Sequence, residues 1–129
     1  MPQEQDVLAQ IRQFMTSRTL LTACELDLFS ALDREPSSAQ GLAGALHVDV
    51  RALTRVLDCL VTLDYLVKDA QGRYRPTAAG RFLSSTHEQT VLPMALHLAH
   101  TWNNWHHLTD TVRKGENPHQ QHVTHLEPE

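Results

Sequence analysis

Residues 37–76 read SSAQGLAGALHVDVRALTRVLDCLVTLDYLVKDAQGRYRP, and this stretch decides the fold. Ser37, with Gln40 three residues on, has the form of a capping box, so a short helix starts here with Leu42, Ala43 and Leu46 on its apolar face. His47-Val48 is the turn, at a position where a helix-ending glycine is common. Asp49 is an N-cap for a second helix. There Leu53, Val56, Leu57, Leu60 and Val61 follow the i, i+3, i+4, i+7, i+8 spacing of one buried face. Tyr65-Leu66-Val67 then begins a strand, Ala70-Gln71-Gly72 is a hairpin turn, and Arg73-Tyr74-Arg75 returns. Thr77 caps a short helix through Leu83. Two tight helices followed by a two-stranded wing define a mainly α, winged helix-turn-helix-like core over about residues 37–83.

Long helices flank this core. A helical stretch is expected from about Asp6 to Leu32, bent near Thr16-Ser17. Val7, Leu8, Ile11, Phe14 and Met15 recur at helical spacing, and Leu20, Leu21, Cys24, Leu28 and Leu32 continue the stripe. So long a stripe at the edge of a small domain offers more apolar surface than one core needs, which is the mark of a partner chain. A polar link, Ser84 to Gln89, leads to a helical region from about Thr90 to Lys114, with Pro93 in its first turn and Gly115 as C-cap. Residues 119–129 read as a tail or a severed linker.

The bulk numbers fit a soluble domain. The chain has 129 residues, 41% hydrophobic and 20% charged, enough for one hydrophobic core. No apolar run reaches the roughly 20 residues that cross a bilayer. Met1-Pro2-Gln3-Glu4-Gln5-Asp6 is polar and acidic, unlike a secretory signal, so a cytoplasmic location is expected. Cys24 and Cys59 lie in apolar helical patterns and are expected to be buried free thiols. The net charge of −4 is uneven: residues 51–81 carry six cations against three acids and form the basic part.

That basic segment raises the alternative of a winged-helix DNA-binding transcription regulator. The exposed stripe of the second helix is expected to be Arg51, Arg55, Asp58 and Thr62. Asp58 is placed to pair with Arg55 and neutralise the patch, and the helix lacks the Asn, Gln and Ser residues that accompany base readout. Lys68, Arg73 and Arg75 of the wing remain as phosphate contacts. Nucleic acid is therefore not the expected partner.

Four stretches carry a family resemblance. They are Ala23-Cys24-Glu25-Leu26-Asp27-Leu28-Phe29-Ser30-Ala31-Leu32; Leu42-Ala43 through Arg51-Ala52-Leu53-Thr54-Arg55-Val56-Leu57; Tyr74-Arg75-Pro76-Thr77-Ala78-Ala79-Gly80; and Trp102-Asn103-Asn104-Trp105-His106-His107-Leu108 with Val112-Arg113-Lys114-Gly115. In this order they resemble the N-terminal dimerisation domain of class I S-adenosylmethionine-dependent O-methyltransferases, of the caffeic-acid, hydroxyindole and bacterial antibiotic-tailoring type. The resemblance implies a domain over residues 1–118 and a homodimer built by swapped first helices, with Val7, Ile11, Phe14 and Met15 at the interface. It implies a wall of the acceptor pocket, with Met94, His97, His100 and Trp102 as substrate-binding candidates. Trp105 is expected in the core. The methyl acceptor implied is a small aromatic or polyketide-like hydroxyl compound.

The same resemblance implies S-adenosylmethionine for the parent enzyme, bound by an α/β domain that these 129 residues do not include. The five glycines, Gly41, Gly44, Gly72, Gly80 and Gly115, form no Gly-x-Gly run, so no cofactor-binding residue is assigned in this chain, and no catalytic one. Nine histidines invite a metal reading, with His97 and His100 three apart and His119, His122 and His125 repeating every three. No acidic or cysteine ligand accompanies them, and no metal site is assigned.

Overall fold

The computed structural model describes residues 1–117. Its elements in chain order are α1 (Glu4–Glu25), α2 (Leu28–Arg34), β1 (Ser37–Ser38), α3 (Ala39–Leu46), α4 (Val50–Thr62), β2 (Leu66–Lys68), β3 (Arg73–Pro76), α5 (Ala78–Arg81), α6 (Leu92–His100), α7 (Trp102–His106) and α8 (Leu108–Lys114). This is the mainly helical, winged fold that the sequence implies.

The winged core forms for local reasons. Asp49 caps α4, accepting from the Ala52 N–H at 2.8 Å. Leu53, Leu57 and Leu60 are the buried residues of that helix, and they meet Leu42 and Ala43 of α3, Phe29 and Leu32 of α2, and Leu66 and Tyr74 of the wing in one apolar cluster. The wing turn needs Gly72, whose φ of +77° is the left-handed conformation a hairpin demands. His47 closes α3 in the same left-handed region, at φ +57°.

The Thr77-to-Gly80 motif has a steric and a hydrogen-bonding cause. Thr77 Oγ1 accepts from the Gly80 N–H at 3.1 Å and donates to the Asp64 carbonyl at 2.7 Å. A Cβ on Gly80 would stand 2.1 Å from the Tyr65 carbonyl oxygen and 3.1 Å from the Phe29 ring. Only a bare Cα lets α5 approach the start of the wing so closely.

Several sequence expectations change in detail. The first helix does not bend at Thr16-Ser17; α1 runs unbroken for 22 residues and the break comes at Asp27, in the left-handed region at φ +54°. Two modest helix formers cost little inside a long helix, whereas one left-handed residue ends it. The α3 cap is Ser38, accepting from the Gly41 N–H at 3.1 Å, because Ser37 and Ser38 serve as a third strand. That strand pairs antiparallel with β3, Ser37 opposite Tyr74, giving the sheet order β1-β3-β2.

The polar link is no loose tether. Ser84 is fully buried, the Ser85 N–H donates to Ser30 Oγ at 2.9 Å, and Thr86 Oγ1 donates to Asp33 at 3.1 Å. These bonds lay the segment along α2. The 90–114 region is three short helices rather than one, interrupted at Thr101 and His107. Gly115 ends α8 at φ +75°, as its position implies. The tail from 119 onwards lies outside the described residues.

Candidate functional site

The N-terminal half of α1 is bare. Every residue from Met1 to Ser17 is exposed, including Val7 (47%), Ile11 (62%), Phe14 (51%) and Met15 (55%). These four and Leu8 lie on one face of the helix, and all five are exposed. Only from Arg18 onwards do residues of α1 begin to be covered, and burial is complete at Ala23. An apolar helix face of this length in water is incomplete as a fold.

Where α1 enters the body it forms a groove with α5, α6 and α7. The groove measures about 660 Å³ and is almost wholly apolar, with Leu20, Leu21, Phe82, Leu98, Trp102 and Trp105 in its walls. Cys24 also faces it, and burial first, then the nearby Asp27 and Glu25 carboxylates, push that thiol up to about 11. A smaller hollow of about 410 Å³ lies beside Arg18, Glu25, His100, Trp102 and Asn103.

The four acceptor candidates separate. Trp102 lines both hollows, His100 lines only the smaller one, and Met94 and His97 line neither. Met94 is 59% exposed and His97 points outward with it, because α6 turns its Ala95 and Leu98 face toward α1. Trp105 is not a core residue: it is 67% exposed at the groove's edge. Leu20, Leu21 and Cys24 carry the groove without having been singled out for it. Their apolar spacing is indistinguishable from that of core residues, and only the position of α6 opens the space.

Cys59 corrects a second expectation. It lies on the outer side of α4 and is exposed, whereas Cys24 is buried. Among the described residues no cluster of three His, Cys, Asp or Glu side chains is arranged to hold a metal ion. The triplet His119, His122 and His125 lies outside the described residues. Among those residues, no helix is long and apolar enough to cross a membrane.

Part of the wing's charge is paired within the chain, while Arg51 and Arg55 of α4 and Arg75 of the wing stay exposed. Asp58 does not pair with Arg55. It accepts a hydrogen bond from Tyr74 Oη and stands 3.7 Å from Lys68 Nζ. Arg73 Nε is 3.1 Å from Asp69 Oδ2, whose carboxyl is held below its usual range first by the Arg73 backbone N–H. Lys68 is shifted up, first by its contact with Tyr74 and then by Asp58. Two of the wing's cations thus face carboxylates of this chain.

A winged core, an exposed apolar helix face and an adjoining apolar groove together have the features of an assembly domain. The sequence model of the O-methyltransferase dimerisation domain matches residues 8–86, and the chain belongs to that family. It is 32% identical over 115 residues to the human "Probable bifunctional dTTP/UTP pyrophosphatase/methyltransferase protein", covering 88% of this chain and 18% of that one. It is 34% identical over 114 residues to the tetracenomycin polyketide synthesis 8-O-methyl transferase TcmO of Streptomyces glaucescens, covering 86% of this chain and 33% of that one. The solved structure of human N-acetylserotonin methyltransferase in complex with SAM superposes with a TM-score of 0.77 at 27% identity, over 89% of this chain and 36% of that one. The chain therefore spans about a fifth to a third of the length of these relatives.

The described residues do not fit a nucleotide-type cofactor. Gly41 and Gly44 lie inside α3, Gly72 in the wing turn, Gly80 against Tyr65 and Gly115 at the end of α8. None forms a strand-to-helix loop that would cradle such a ligand.

Proposed function

We propose that this chain is the homodimer-forming and acceptor-wall domain of an S-adenosylmethionine-dependent O-methyltransferase, acting on a small aromatic or polyketide-like hydroxyl compound. One observation carries the dimer: among the described residues the Val7–Met15 face of α1 is apolar and exposed. A second copy supplies what it lacks. The acceptor reading draws on the apolar groove, whose tryptophans suit a flat ring, and on the relatives, which include a polyketide 8-O-methyl transferase. Within it Trp102 keeps the role of a substrate-facing residue, and His100 borders the polar hollow beside it. S-adenosylmethionine belongs to the remainder of such an enzyme. The free thiols suit a cytoplasmic setting.

Nucleic acid is not the partner in this reading: Lys68 and Arg73 face carboxylates of the chain, and a DNA titration tests the exposed Arg51, Arg55 and Arg75. The test is the mass of the 129-residue chain by light scattering across a dilution series. A dimer persisting at low micromolar concentration is expected, together with no binding to a DNA duplex at low salt. A monomer throughout the series would overturn the proposal.

A further inference from the structure

We propose that Arg18 is a positioning residue that clamps the Trp102 indole and so sets the shape of the apolar groove; this rests on reading the groove as acceptor wall. Arg18 is the last cation before α1 enters the body of the domain. Its guanidinium stacks over the Trp102 ring, 5.3 Å from the ring centre. The same Nη2 donates to Thr22 Oγ1 at 3.1 Å and to the Glu25 carboxylate. Thr22 and Glu25 stand four and seven residues further along the helix, on the face that Arg18 occupies. The guanidinium is thereby held along α1 with its central carbon over the indole.

Glu25 supports the assignment independently. It is the last residue of α1, at the negative end of the helix dipole, where a carboxylate is disfavoured. Its charge is offset there by Arg18, and its contact with that side chain accounts for its presence. Trp102 is the first residue after the α6–α7 break and follows no long helix that would hold it. On one side of it lies the polar hollow with His100 and Asn103, and on the other the apolar groove. The clamp keeps the indole as the partition between the two. A lysine cannot replace it fully, because an ammonium group does not stack as a plane.

The test uses the whole chain carrying Trp105→Phe, so that Trp102 is the sole fluorophore of its kind. Acrylamide quenching reports its accessibility and 2-naphthol, a neutral flat hydroxyarene, reports the groove. Arg18→Met is expected to lower the docked-to-undocked ratio of Trp102 about two- to five-fold, the factor an exposed cation–π contact supplies, with a matching loss of naphthol affinity. Arg18→Lys restores part of both, and the mass in solution stays that of the unsubstituted chain. Unchanged quenching in a folded Arg18→Met variant would overturn the clamp. Should that variant not fold, Glu25→Gln loosens the guanidinium in place and is expected to raise quenching by a smaller factor; no change there also overturns it. If the unsubstituted chain binds no naphthol, the acceptor-wall reading fails, and quenching alone still decides the clamp.

Discussion

Tyr74 of the wing donates its phenol proton to the carboxylate of Asp58 on α4, joining two elements 16 residues apart. Tyr74 is 1% exposed, and Lys68 closes the arrangement by standing 5.1 Å from the centre of its ring. The bond holds the wing against α4. Tyr74→Phe removes the bond and keeps the packing, so a loss of about 1–2 kcal/mol in urea unfolding is expected. Burial first, and Asp58 next, raise the phenol above its ordinary value of 10.0. The fold thus prefers the protonated phenol: its contribution is whole below pH 10 and is lost as pH rises through the higher folded value. The unsubstituted chain should lose stability more steeply above pH 10 than Tyr74→Phe. Parallel alkaline melting curves would show that the bond contributes nothing.

His47 carries a Cβ in the left-handed region, at φ +57°, where its backbone N–H bonds back to the Ala43 carbonyl. Glycine adopts that conformation without the steric cost. His47→Gly should raise stability by up to about 1 kcal/mol, seen as a higher melting temperature. A lower one would mean that the imidazole makes a contribution larger than the strain.

Gly80 offers the opposite case. Its missing side chain is filled by the Tyr65 carbonyl, 2.1 Å from where a Cβ would stand. Backbone cannot yield as a flexible side chain does, so Gly80→Ala should destabilise by about 3 kcal/mol, the upper part of the range for overpacking. A loss below about 0.5 kcal/mol in the same denaturant assay, within the ordinary scatter for surface substitutions, would show that α5 shifts freely.

These sites show what the sequence makes legible. The α4 stripe, the Asp49 cap, the Gly72 turn and the Thr77-to-Gly80 pair are local: each cause lies within a few residues of its effect. The break at Asp27 is less so, because an aspartate in the left-handed region looks the same in sequence as one in a helix. The third strand at Ser37-Ser38 depends on β3 arriving from far along the chain. On α1 the apolar spacing beyond the needs of a core was legible, and Val7, Ile11, Phe14 and Met15 are exposed as that surplus implies. Which side of α6 faces the groove was not legible, because only the docking against α1 turns Ala95 and Leu98 toward it and leaves Met94 and His97 exposed.

The two thiols separate by the same logic of packing. Cys59 is exposed and Cys24 is buried with its thiol pushed up to about 11. Near pH 8 a disulfide reagent should label one thiol per native chain, at Cys59, and the second only on unfolding. Cys59→Ser should abolish the native reaction. Prompt labelling of two thiols would show that the groove around Cys24 opens readily.

The exposed half of α1 makes the strongest prediction. From Glu4 to Ser17 every residue of the helix is exposed, and an isolated helix of roughly that length is marginal in water. Its order must then come from whatever packs on Val7, Ile11, Phe14 and Met15. If that is a second copy, assembly and helix formation are one event. Ile11→Glu with Phe14→Glu should halve the mass in light scattering and also lower the helical circular dichroism, because the freed segment melts. Gln13→Glu, on the opposite side of the same helix, adds a charge without touching the stripe and should leave both signals unchanged. A double variant that became monomeric with full helicity would show that α1 holds its shape alone. One that stayed dimeric would place the interface elsewhere on the chain.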